Sequence, residues 1–341
     1  MYILSDGQIG QMIANALIER ARHGVQVNVI YDGLGSLDTP ASFFDNLRSN
    51  GVAILEFNPL TPFQARHWSL SNLTHRDHRK LLIIDGHTAF TGGINISEVY
   101  ASGLRSQPSN TPLAYWRDTD IEVDGPAAAE FQKLFLIDWY REGGIPLDHN
   151  RYFPQVPAQG RQIVRVIGSN PEQFPLIYVD LISAVVNAET NVYITDAYFA
   201  PDYQMRRALR GAARRGVDVR LLLPSQSDEP FIVSAQRAHY NGLLKAGVKI
   251  YEWSGKMLHA KTATIDGVWS TVGTSNLDWW SIARDNEVNA IVLGHDFGDQ
   301  MNLMFKNDLE DSQPIELAQW RRRSLLERLR ERFAELIHPL L

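Results

Sequence analysis

The sequence predicts an α/β protein of two tandem units, and an internal repeat is the main observation behind this fold class. A helical pattern, a glycine and an apolar strand pattern occur around Gly24 and again around Gly216, 192 residues later. The same succession recurs around Gly51 and Gly247, which are 196 residues apart. Strands that alternate with helices are typical of α/β units with a largely parallel sheet. We therefore predict two mixed, largely parallel α/β/α units related by a pseudo-twofold axis.

The individual elements follow from apolar periodicity and from the glycines that end helices. Helical spacing of apolar residues stops just before each glycine, as at a C-terminal cap, and a run of branched apolar residues follows, as in a buried strand. In the first unit this predicts a helix at 9–22, a strand at 25–32, a helix ending near 50 and a strand at 52–57. In the second unit it predicts a strand at 162–167, a helix at 172–188, a strand at 192–196, a helix at 203–215, a strand at 217–223 and a helix–strand pair around Gly247.

The repeat also predicts where the units begin and end. A chain of 341 residues suits two domains at roughly 150 residues each. The segment 143–161 is rich in glycine, proline and polar residues, which places the units at 1–150 and 160–341. The first unit starts at the equivalent of the strand at 192–196, so we expect it to lack a strand and a helix, and the parent protein to have a longer N-terminus.

Composition excludes several classes of protein. The net charge of −6 argues against a protein that coats nucleic acid, which is usually basic. The absence of cysteine excludes a disulfide framework, a thiolate metal site and a cysteine nucleophile. No apolar run is long enough for a transmembrane helix, and the start of the chain does not resemble a signal peptide.

One motif of polar residues occurs in each unit at the same spacing. Lysine follows histidine by two residues, aspartate by seven and asparagine by seventeen. One copy alone would suit an ordinary strand with surface polar residues, but two copies inside a repeat favour a functional site. The residues are His78, Lys80, Asp85 and Asn95 in the first unit and His259, Lys261, Asp266 and Asn276 in the second.

These residue types suit phosphoryl transfer. Histidine and lysine two positions apart on a strand share one face. One neutral imidazole can attack phosphorus, and a second, protonated one can give its proton to the leaving alkoxide. Lysines and side-chain amides can stabilise the charge on the phosphate oxygens. The chemistry requires no metal and no cofactor, and the sequence contains none of the common metal-binding or glycine-rich nucleotide-binding motifs.

The paired motifs resemble the phospholipase D superfamily, in which two copies form one active site. Further segments are similar to the bacterial cardiolipin synthases: 31–36, 57–60, 75–80, 196–202 and the C-terminal tail. The resemblance implies two phospholipase D-like units and transfer of a phosphatidyl group from phosphatidylglycerol to the hydroxyl of a second phospholipid, through a phosphohistidine. It assigns the nucleophile to His78 and the general acid to His259. An acidic residue would orient each histidine, Asp120 serving His78 and Glu287 serving His259.

Two other functions stay open. The same chemistry with water as acceptor would make a phospholipase D or a phosphodiesterase, although the acidic net charge disfavours nucleic acid. A non-catalytic lipid-binding module is the third candidate. The acceptor, the membrane leaflet and the oligomeric state are left undetermined by the sequence.

Several residues near the motifs are candidate substrate contacts. His75 and Arg76 directly precede the first motif and could meet a lipid headgroup. Ser275 follows Thr274, whose hydroxyl has no counterpart at Gly93; Ser97 could compensate in the first unit. Trp116 could line a lipid groove. The candidates are therefore His75, Arg76, Ser97, Trp116 and Ser275.

The C-terminal segment 320–332 contains six arginines interleaved with leucines that share one helical face. Either this helix packs on the domain and its arginines pair with Glu327, Glu331 and Glu335, or it lies on an anionic membrane surface. The predicted location is the bacterial cytoplasmic membrane, with the protein peripheral or anchored through a missing N-terminus.

Overall fold

Helices and strands alternate along most of the chain in the computed structural model, which describes residues 1–60, 73–101 and 115–337. The helices are α1 (Gln8–Arg22), α2 (Ala41–Ser49), α3 (Ala128–Arg141), α4 (His149–Tyr152), α5 (Leu176–Asn187), α6 (Tyr203–Arg214), α7 (Pro230–Leu244), α8 (Trp279–Ala283), α9 (His295–Glu310), α10 (Leu317–Trp320) and α11 (Leu325–Ile337). The strands are β1 (Asn28–Asp32), β2 (Ala53–Phe57), β3 (Arg76–Asp77), β4 (Leu81–Ile84), β5 (Thr88–Gly92), β6 (Trp116–Arg117), β7 (Asp120–Asp124), β8 (Ile163–Ser169), β9 (Asn191–Thr195), β10 (Asp218–Pro224), β11 (Lys249–Trp253), β12 (Met257–Leu258), β13 (Thr262–Ile265), β14 (Trp269–Gly273), β15 (Asp285–Leu293) and β16 (Ser312–Pro314).

The second half contains one large mixed sheet. Its strand order is β16-β11-β10-β9-β13-β14-β15, and β15 also pairs with β8 and with β3. The strands β9, β10 and β11 are parallel, as the helix–glycine–strand repeat predicts. The pairs from β9 through β13, β14 and β15 to β8 are antiparallel. The mixed sheet is confirmed, whereas the prediction that it is largely parallel is wrong.

Two tight turns explain the antiparallel part of each half. In the turn between β13 and β14, Asp266 and Gly267 have φ values of 54° and 65°. Asp85 and Gly86 repeat this between β4 and β5, with φ values of 51° and 70°. Two successive residues with positive φ form a type I′ turn, which joins antiparallel strands and favours Asp-Gly.

The first half contains two smaller sheets. One consists of β1 and β2, which are parallel, and the other of β4, β5 and β7, which are antiparallel. In the second half, β9 joins the equivalent groups of strands. Among the described residues before 150, the structure contains no counterpart of β8, α5 or β9, so the first half lacks one strand more than the sequence predicts.

The backbone shows why the predicted starting point was wrong. Leu4 bridges to Ile96, which directly follows the asparagine of the first motif. In the second half Ala200 donates to the carbonyl of Leu277, which follows Asn276 in the same way. Residues 2–5 therefore correspond to the segment 197–201, after β9, and not to β9 itself.

Two short strands cross between the halves. The first-half strand β3 pairs in parallel with the start of β15, and the second-half strand β12 pairs in parallel with β6. The two pairings are equivalent, since β6 and the start of β15 each follow the motif of their own half. This exchange gives the halves a pseudo-twofold relationship, as predicted, and brings the two motifs together.

Apolar cores hold the strands on which the motifs lie. One core cluster contains side chains from α5, α6, α7 and the second-half sheet. Another is shared between the halves, with Ile121 and Val123 of β7 packing in the same cluster as Val288 and Ala290 of β15. None of the helices within the described ranges is long and apolar enough to span a membrane.

Candidate active site

The two histidines directly follow β3 and β12, the strands that pair with the opposite half, and they occupy equivalent positions. The backbone N–H of His78 donates to the carbonyl of Asn286 at 3.0 Å, and that of His259 donates to the carbonyl of Arg117 at 2.7 Å. Each histidine is therefore fixed by the backbone of the opposite half. Both side chains are buried, so the short apolar strands that follow them hold the imidazoles rigidly.

A buried carboxylate from the opposite half orients each imidazole. Nδ1 of His78 lies 3.0 Å from Oε1 of Glu287, and Nδ1 of His259 lies 2.8 Å from Oδ2 of Asp118. The predicted partners, Asp120 for His78 and Glu287 for His259, are therefore wrong. The physical reason is that each acid follows a strand that pairs with the other half, so it contacts the other half's histidine.

Strand register identifies the matching acids. Gly92 pairs with Asp120 on β7, and Gly273 pairs with Asn289 on β15. Asp120 and Asn289 are thus equivalent, and Glu287 corresponds to a residue two positions before Asp120. That residue is Asp118, whose equivalence to Glu287 the sequence comparison missed by two positions.

Asp120 shapes a turn. Its Oδ1 accepts the backbone N–H of Ile94 at 3.1 Å, just as Oδ1 of Asn289 accepts that of Ser275 at 3.3 Å. Ile94 and Ser275 directly precede the two motif asparagines. Asp120 therefore holds the turn that carries Asn95, and we assign it no direct role beside a histidine.

The two orienting acids have opposite electrostatic preferences. Although burial alone would raise the pKa of Glu287, the neighbouring His78 holds it below the usual value, with Ser281 donating to Oε1 at 2.6 Å and Thr274 to Oε2. Burial raises the pKa of Asp118 to about 7, against the opposing charge of Lys261. Glu287 is thus held ionised, while Asp118 can gain or lose a proton near neutrality.

The motif lysines are buried behind the histidines. Nζ of Lys80 donates to the carbonyl of His78 at 2.7 Å, and Nζ of Lys261 donates to the carbonyl of His259. Burial lowers the pKa of both lysines, that of Lys80 to about 7. The charge of Lys261 also lowers the pKa of Lys80, so the two amines act on each other electrostatically across the two halves.

The lysines also affect the imidazoles. Burial lowers the pKa of His78, and burial together with Lys261 and Lys80 lowers the pKa of His259 well below its usual value. The prediction that Glu287 raises the pKa of His259 is therefore wrong. A phosphodiester anion between the lysines would oppose their charge and shift both imidazoles back towards the protonated form.

The motif asparagines have different surroundings. Nδ2 of Asn95 donates to the hydroxyl of Tyr100 at 3.0 Å, and that hydroxyl lies 3.3 Å from Nδ1 of His259. A residue of the first motif is thereby connected to the histidine of the second. Oδ1 of Asn276 is buried and has no hydrogen-bond partner within the described part of the chain, so it can accept a donor from a ligand or water.

Aromatic rings flank the site in a symmetrical manner. The ring of Tyr2 lies 5.0 Å from that of His78 and 5.1 Å from Nζ of Lys80. The ring of Tyr198 lies 5.9 Å from that of His259 and 5.7 Å from Nζ of Lys261. The ring of Trp116 lies 5.4 Å from that of His259, so this predicted contact residue does lie beside the chemistry.

The motif aspartates lie elsewhere. Asp85 and Asp266 occupy the type I′ turns at the far ends of β4 and β13, about four residues of strand from the lysines. Asp85 is exposed, and the carboxylate of Asp266 accepts the backbone N–H of Thr190 at 2.7 Å. The prediction that these two aspartates are catalytic is wrong, because the spacing from histidine that they share reflects hairpin geometry.

Two of the predicted headgroup contacts are structural. Nε2 of His75 lies 2.7 Å from Oδ1 of Asn286. The guanidinium of Arg76 donates to the carbonyl of Asn58 at 2.8 Å and to Asp32 at 3.3 Å. Both His75 and Arg76 are buried. His75 thus joins the two halves and Arg76 ties segments of the first half together, so their predicted role in headgroup binding is wrong.

Of the two predicted serines, Ser275 serves the local structure. Oγ of Ser275 lies 3.2 Å from Oγ of Ser281, one of the hydroxyls on Glu287. The hydroxyl of Ser97 makes no capping hydrogen bond to the short 3-10 helix Glu98–Tyr100 that follows it. The hydroxyls on Glu287 come from Thr274 and Ser281, whereas the equivalent position of Thr274 in the first half is Gly93.

One set of three side chains in the described ranges has the geometry for a metal ion. Donor atoms of His78, Asp285 and Glu287 all lie within 4.8 Å of one another. In the structure His78 and Glu287 bind each other, and the charge of Lys80 acts on both acids. The negative charge of the two acids is therefore balanced by Lys80 of the same chain.

Comparison with known proteins identifies the family. The family described as "Cardiolipin synthase, PLD-like domain" matches this chain over residues 1–107 and 181–309. The chain belongs to this family. It is 34% identical over its whole length to the cardiolipin synthase of Geobacillus kaustophilus and 34% identical to the major cardiolipin synthase of Bacillus subtilis, of which it covers 66% and 69%. The chain thus spans about two thirds of the length of these relatives.

A solved structure supports the fold of this family member. The phosphatidylserine synthase of Haemophilus influenzae superposes with a TM-score of 0.72 at 11% identity, covering 99% of this chain and 88% of that one. At this identity the likeness concerns the fold alone. It includes both halves, in agreement with the predicted pair of phospholipase D-like units.

Sequence reasoning missed four residues of the site. Asp118, Tyr2, Tyr100 and Tyr198 all lie against the histidines, and the first would have been found by aligning β7 with β15 from their motif glycines. Tyr2 and Tyr198 are 196 residues apart, the same offset as the second glycine pair. Tyr100 carries no comparable signal, because the motif offset of 181 residues leads to Ser281 and not to a tyrosine.

A substitution in the first motif tests the position of Asp118. A Cβ at Gly93 would collide with the carboxylate of Asp118. Gly93→Ala should therefore displace Asp118 from His259 and lower transfer activity by about 10²-fold, with little loss of folded protein. Gly242→Ala in α7 is the control, because a Cβ there meets nothing within 4 Å. Equal activity of the two variants in a transfer assay would contradict this role.

Proposed function

We propose that this chain is the catalytic portion of a cardiolipin synthase-type phosphatidyltransferase. It would move a phosphatidyl group from one phosphatidylglycerol to the hydroxyl of a second, at the surface of the bacterial cytoplasmic membrane. The observation that carries the proposal is the pair of buried histidines, each oriented by an acid from the opposite half. The family relationship and the cardiolipin synthases among the relatives support it.

In the first step, His78 is the nucleophile. The ionised Glu287 accepts the Nδ1–H of His78, which leaves the lone pair of Nε2 free to attack phosphorus. The N–P bond forms as the bond from phosphorus to the glycerol oxygen breaks. Glu287 then stabilises the positive charge on the phosphorylated imidazole, and its hydroxyl donors keep it in place.

The leaving glycerol oxygen takes its proton from Nε2 of His259. The negative phosphodiester between Lys80 and Lys261 favours protonation of this imidazole before reaction. In the second step the hydroxyl of the acceptor lipid returns a proton to His259, and its oxygen attacks phosphorus while the N–P bond breaks. Asp118, whose pKa lies at about 7, supports both protonation states of His259.

The burial of the site favours a lipid hydroxyl over water as the acceptor. Tyr2, Tyr100, Trp116 and Tyr198 surround the histidines with rings. Apolar walls reduce the local water concentration and strengthen the electrostatic interactions with phosphate. The hydrolase remains the second candidate, with the same two steps and water in place of the lipid.

Product analysis separates the two candidates. The chain is incubated with vesicles containing phosphatidylglycerol labelled in the headgroup glycerol and in an acyl chain. We expect cardiolipin and one free glycerol for each cardiolipin formed. Phosphatidic acid with free glycerol and no cardiolipin would identify a hydrolase, and no product above that of the His78→Ala variant would contradict both functions.

A further inference from the structure

The C-terminal helix α11 presents its apolar face outwards. Leu325, Leu329, Phe333 and Leu336 recur at intervals of three or four residues and so share one face of the helix. Their exposed fractions, with that of the adjacent Leu326, range from 59% to 77%. In a helix packed on a domain, this face would normally be the buried one, so α11 has the reverse orientation.

The acidic residues of α11 lie on the side of the helix opposite this apolar face. Glu331 is buried and pairs with Arg323 at 2.7 Å, and Glu335 pairs with Arg206 of α6 at 3.3 Å. The hydroxyl and backbone N–H of Ser324 both donate to Glu327. At 100° per residue these glutamates lie opposite the exposed apolar face. Of the arginine pairs that the sequence offered for Glu327, Glu331 and Glu335, the pair Arg323–Glu331 forms, whereas Glu335 pairs with Arg206.

Unpaired arginines border the apolar face. At 100° per residue, Arg330 and Arg332 lie on opposite sides of Leu329. Both are exposed and make no hydrogen bond or ion pair within the described residues. The outward surface of α11 thus combines five large apolar side chains with positive charge at its borders, and its acids lie behind it.

A series of contacts connects the surroundings of α11 with the active site. It packs along α7, and a cleft of about 360 Å³ separates its first turns from Ser227 and Ser234. The adjoining residue Asp228 accepts a hydrogen bond from the hydroxyl of Tyr198 at 2.8 Å, and the ring of Tyr198 contacts that of His259. The segment on the far side of this cleft from α11 therefore contacts a ring of the active site.

We propose that α11 docks on an anionic phospholipid bilayer, with Leu325, Leu329, Phe333 and Leu336 inserted among the acyl chains and Arg330 and Arg332 against the lipid phosphates. This rests on the proposed function, whose substrate is an anionic lipid held in such a bilayer. The arrangement of an outward apolar stripe with basic borders is that of interfacial helices. A second copy of the chain would meet the same arginines, so charge favours the bilayer.

Vesicle sedimentation tests the docking. The full chain is mixed with vesicles of phosphatidylcholine, with and without phosphatidylglycerol, and the bound fraction is measured. We expect binding that requires the anionic lipid, is abolished in Leu329→Glu/Phe333→Glu, and is weakened about thirtyfold at low salt in Arg330→Gln/Arg332→Gln. Leu303→Glu is the control, because Leu303 is an exposed leucine on α9 (60% exposed).

Activity on a short-chain, monomeric phosphatidylglycerol separates docking from chemistry. The α11 variants should retain the wild-type rate on this substrate while losing activity on vesicles. Equal vesicle binding by wild type and Leu329→Glu/Phe333→Glu would overturn the docking proposal, as would a wild-type dimer that this variant dissociates. Vesicle binding by a wild type that forms no product from either substrate would contradict the proposed function and leave the docking intact.

Discussion

Replacing His78 by alanine is expected to abolish the covalent intermediate with every substrate and to lower transfer by at least about 10⁴-fold. The variant loses the nitrogen that bonds to phosphorus, and no improvement of the leaving group can replace it. Replacing His259 removes a proton donor instead. His259→Ala should therefore lose about 10²–10⁴-fold on phosphatidylglycerol but much less on a phosphatidyl nitrophenol, whose leaving group needs no proton.

The measurement is trapping of radiolabelled phosphohistidine on denatured protein, which is stable to base and labile to acid. His295→Ala is the control, because His295 is an exposed histidine at the start of α9. Label trapped on His259 at the wild-type rate in His78→Ala would reverse the two roles. Equal losses by both variants on both substrates would contradict any division of labour between the two imidazoles.

The fold was predictable because the repeat lies in local patterns. Helix, glycine and strand follow one another closely in the sequence, so Gly216 and Gly247 correctly predict that β10 and β11 begin just after them. The direction of β13 and β14 was equally open to prediction, since Asp266-Gly267 is a standard hairpin signal. Because Asp266 is also part of the repeated motif, it was interpreted as a catalytic residue, although the turn is what requires it.

The partners of the histidines could not be predicted in the same way. Whether Glu287 reaches His259 or His78 depends on β3 pairing with β15, a contact between residues more than 200 positions apart. A strand of two residues shows almost no periodicity in the sequence, so no local pattern predicts that β3 and β12 pair with the opposite half. The composition of the site was thus predictable from the motifs, whereas its connections depend on how the halves join.

The orientation of α11 was open for a similar reason. Its apolar stripe at Leu325, Leu329 and Phe333 could be read directly from the sequence, but a stripe can face either a core or a bilayer. The contacts of Glu331 and Glu335 decide between the two, because they fix the opposite face to the domain. The pair Arg323–Glu331 was among those that the sequence offered, whereas the pairing of Glu335 with Arg206 of α6 is a long-range contact that helical spacing could not indicate.

The two orienting acids should respond differently to neutralisation. Glu287→Gln removes the charge that stabilises the phosphorylated His78, so we expect a loss of about 10³–10⁴-fold in the rate of covalent intermediate formation with any leaving group. Asp118→Asn acts through His259. Its loss should be large with phosphatidylglycerol and small with a phosphatidyl nitrophenol, so the pattern of leaving-group dependence identifies the histidine that each acid serves.

Thermal unfolding between pH 5 and pH 8 gives a readout independent of catalysis. Asp118 has a folded-state pKa of about 7 against its ordinary 3.8, so the fold favours its protonated form and wild-type stability decreases as pH rises through this window. Asp118→Asn removes that decrease, so the melting temperature of this variant relative to the wild type should rise from pH 5 to pH 8.

The pKa of Glu287 is lowered instead, so its contribution to stability is fully present above about pH 4.5 and is lost only in more acidic solution. Glu287→Gln should therefore be less stable than the wild type by a constant amount across the same range. A melting-temperature difference that changes with pH for Glu287→Gln and stays constant for Asp118→Asn would mean that the charges of the two acids are assigned in the wrong order.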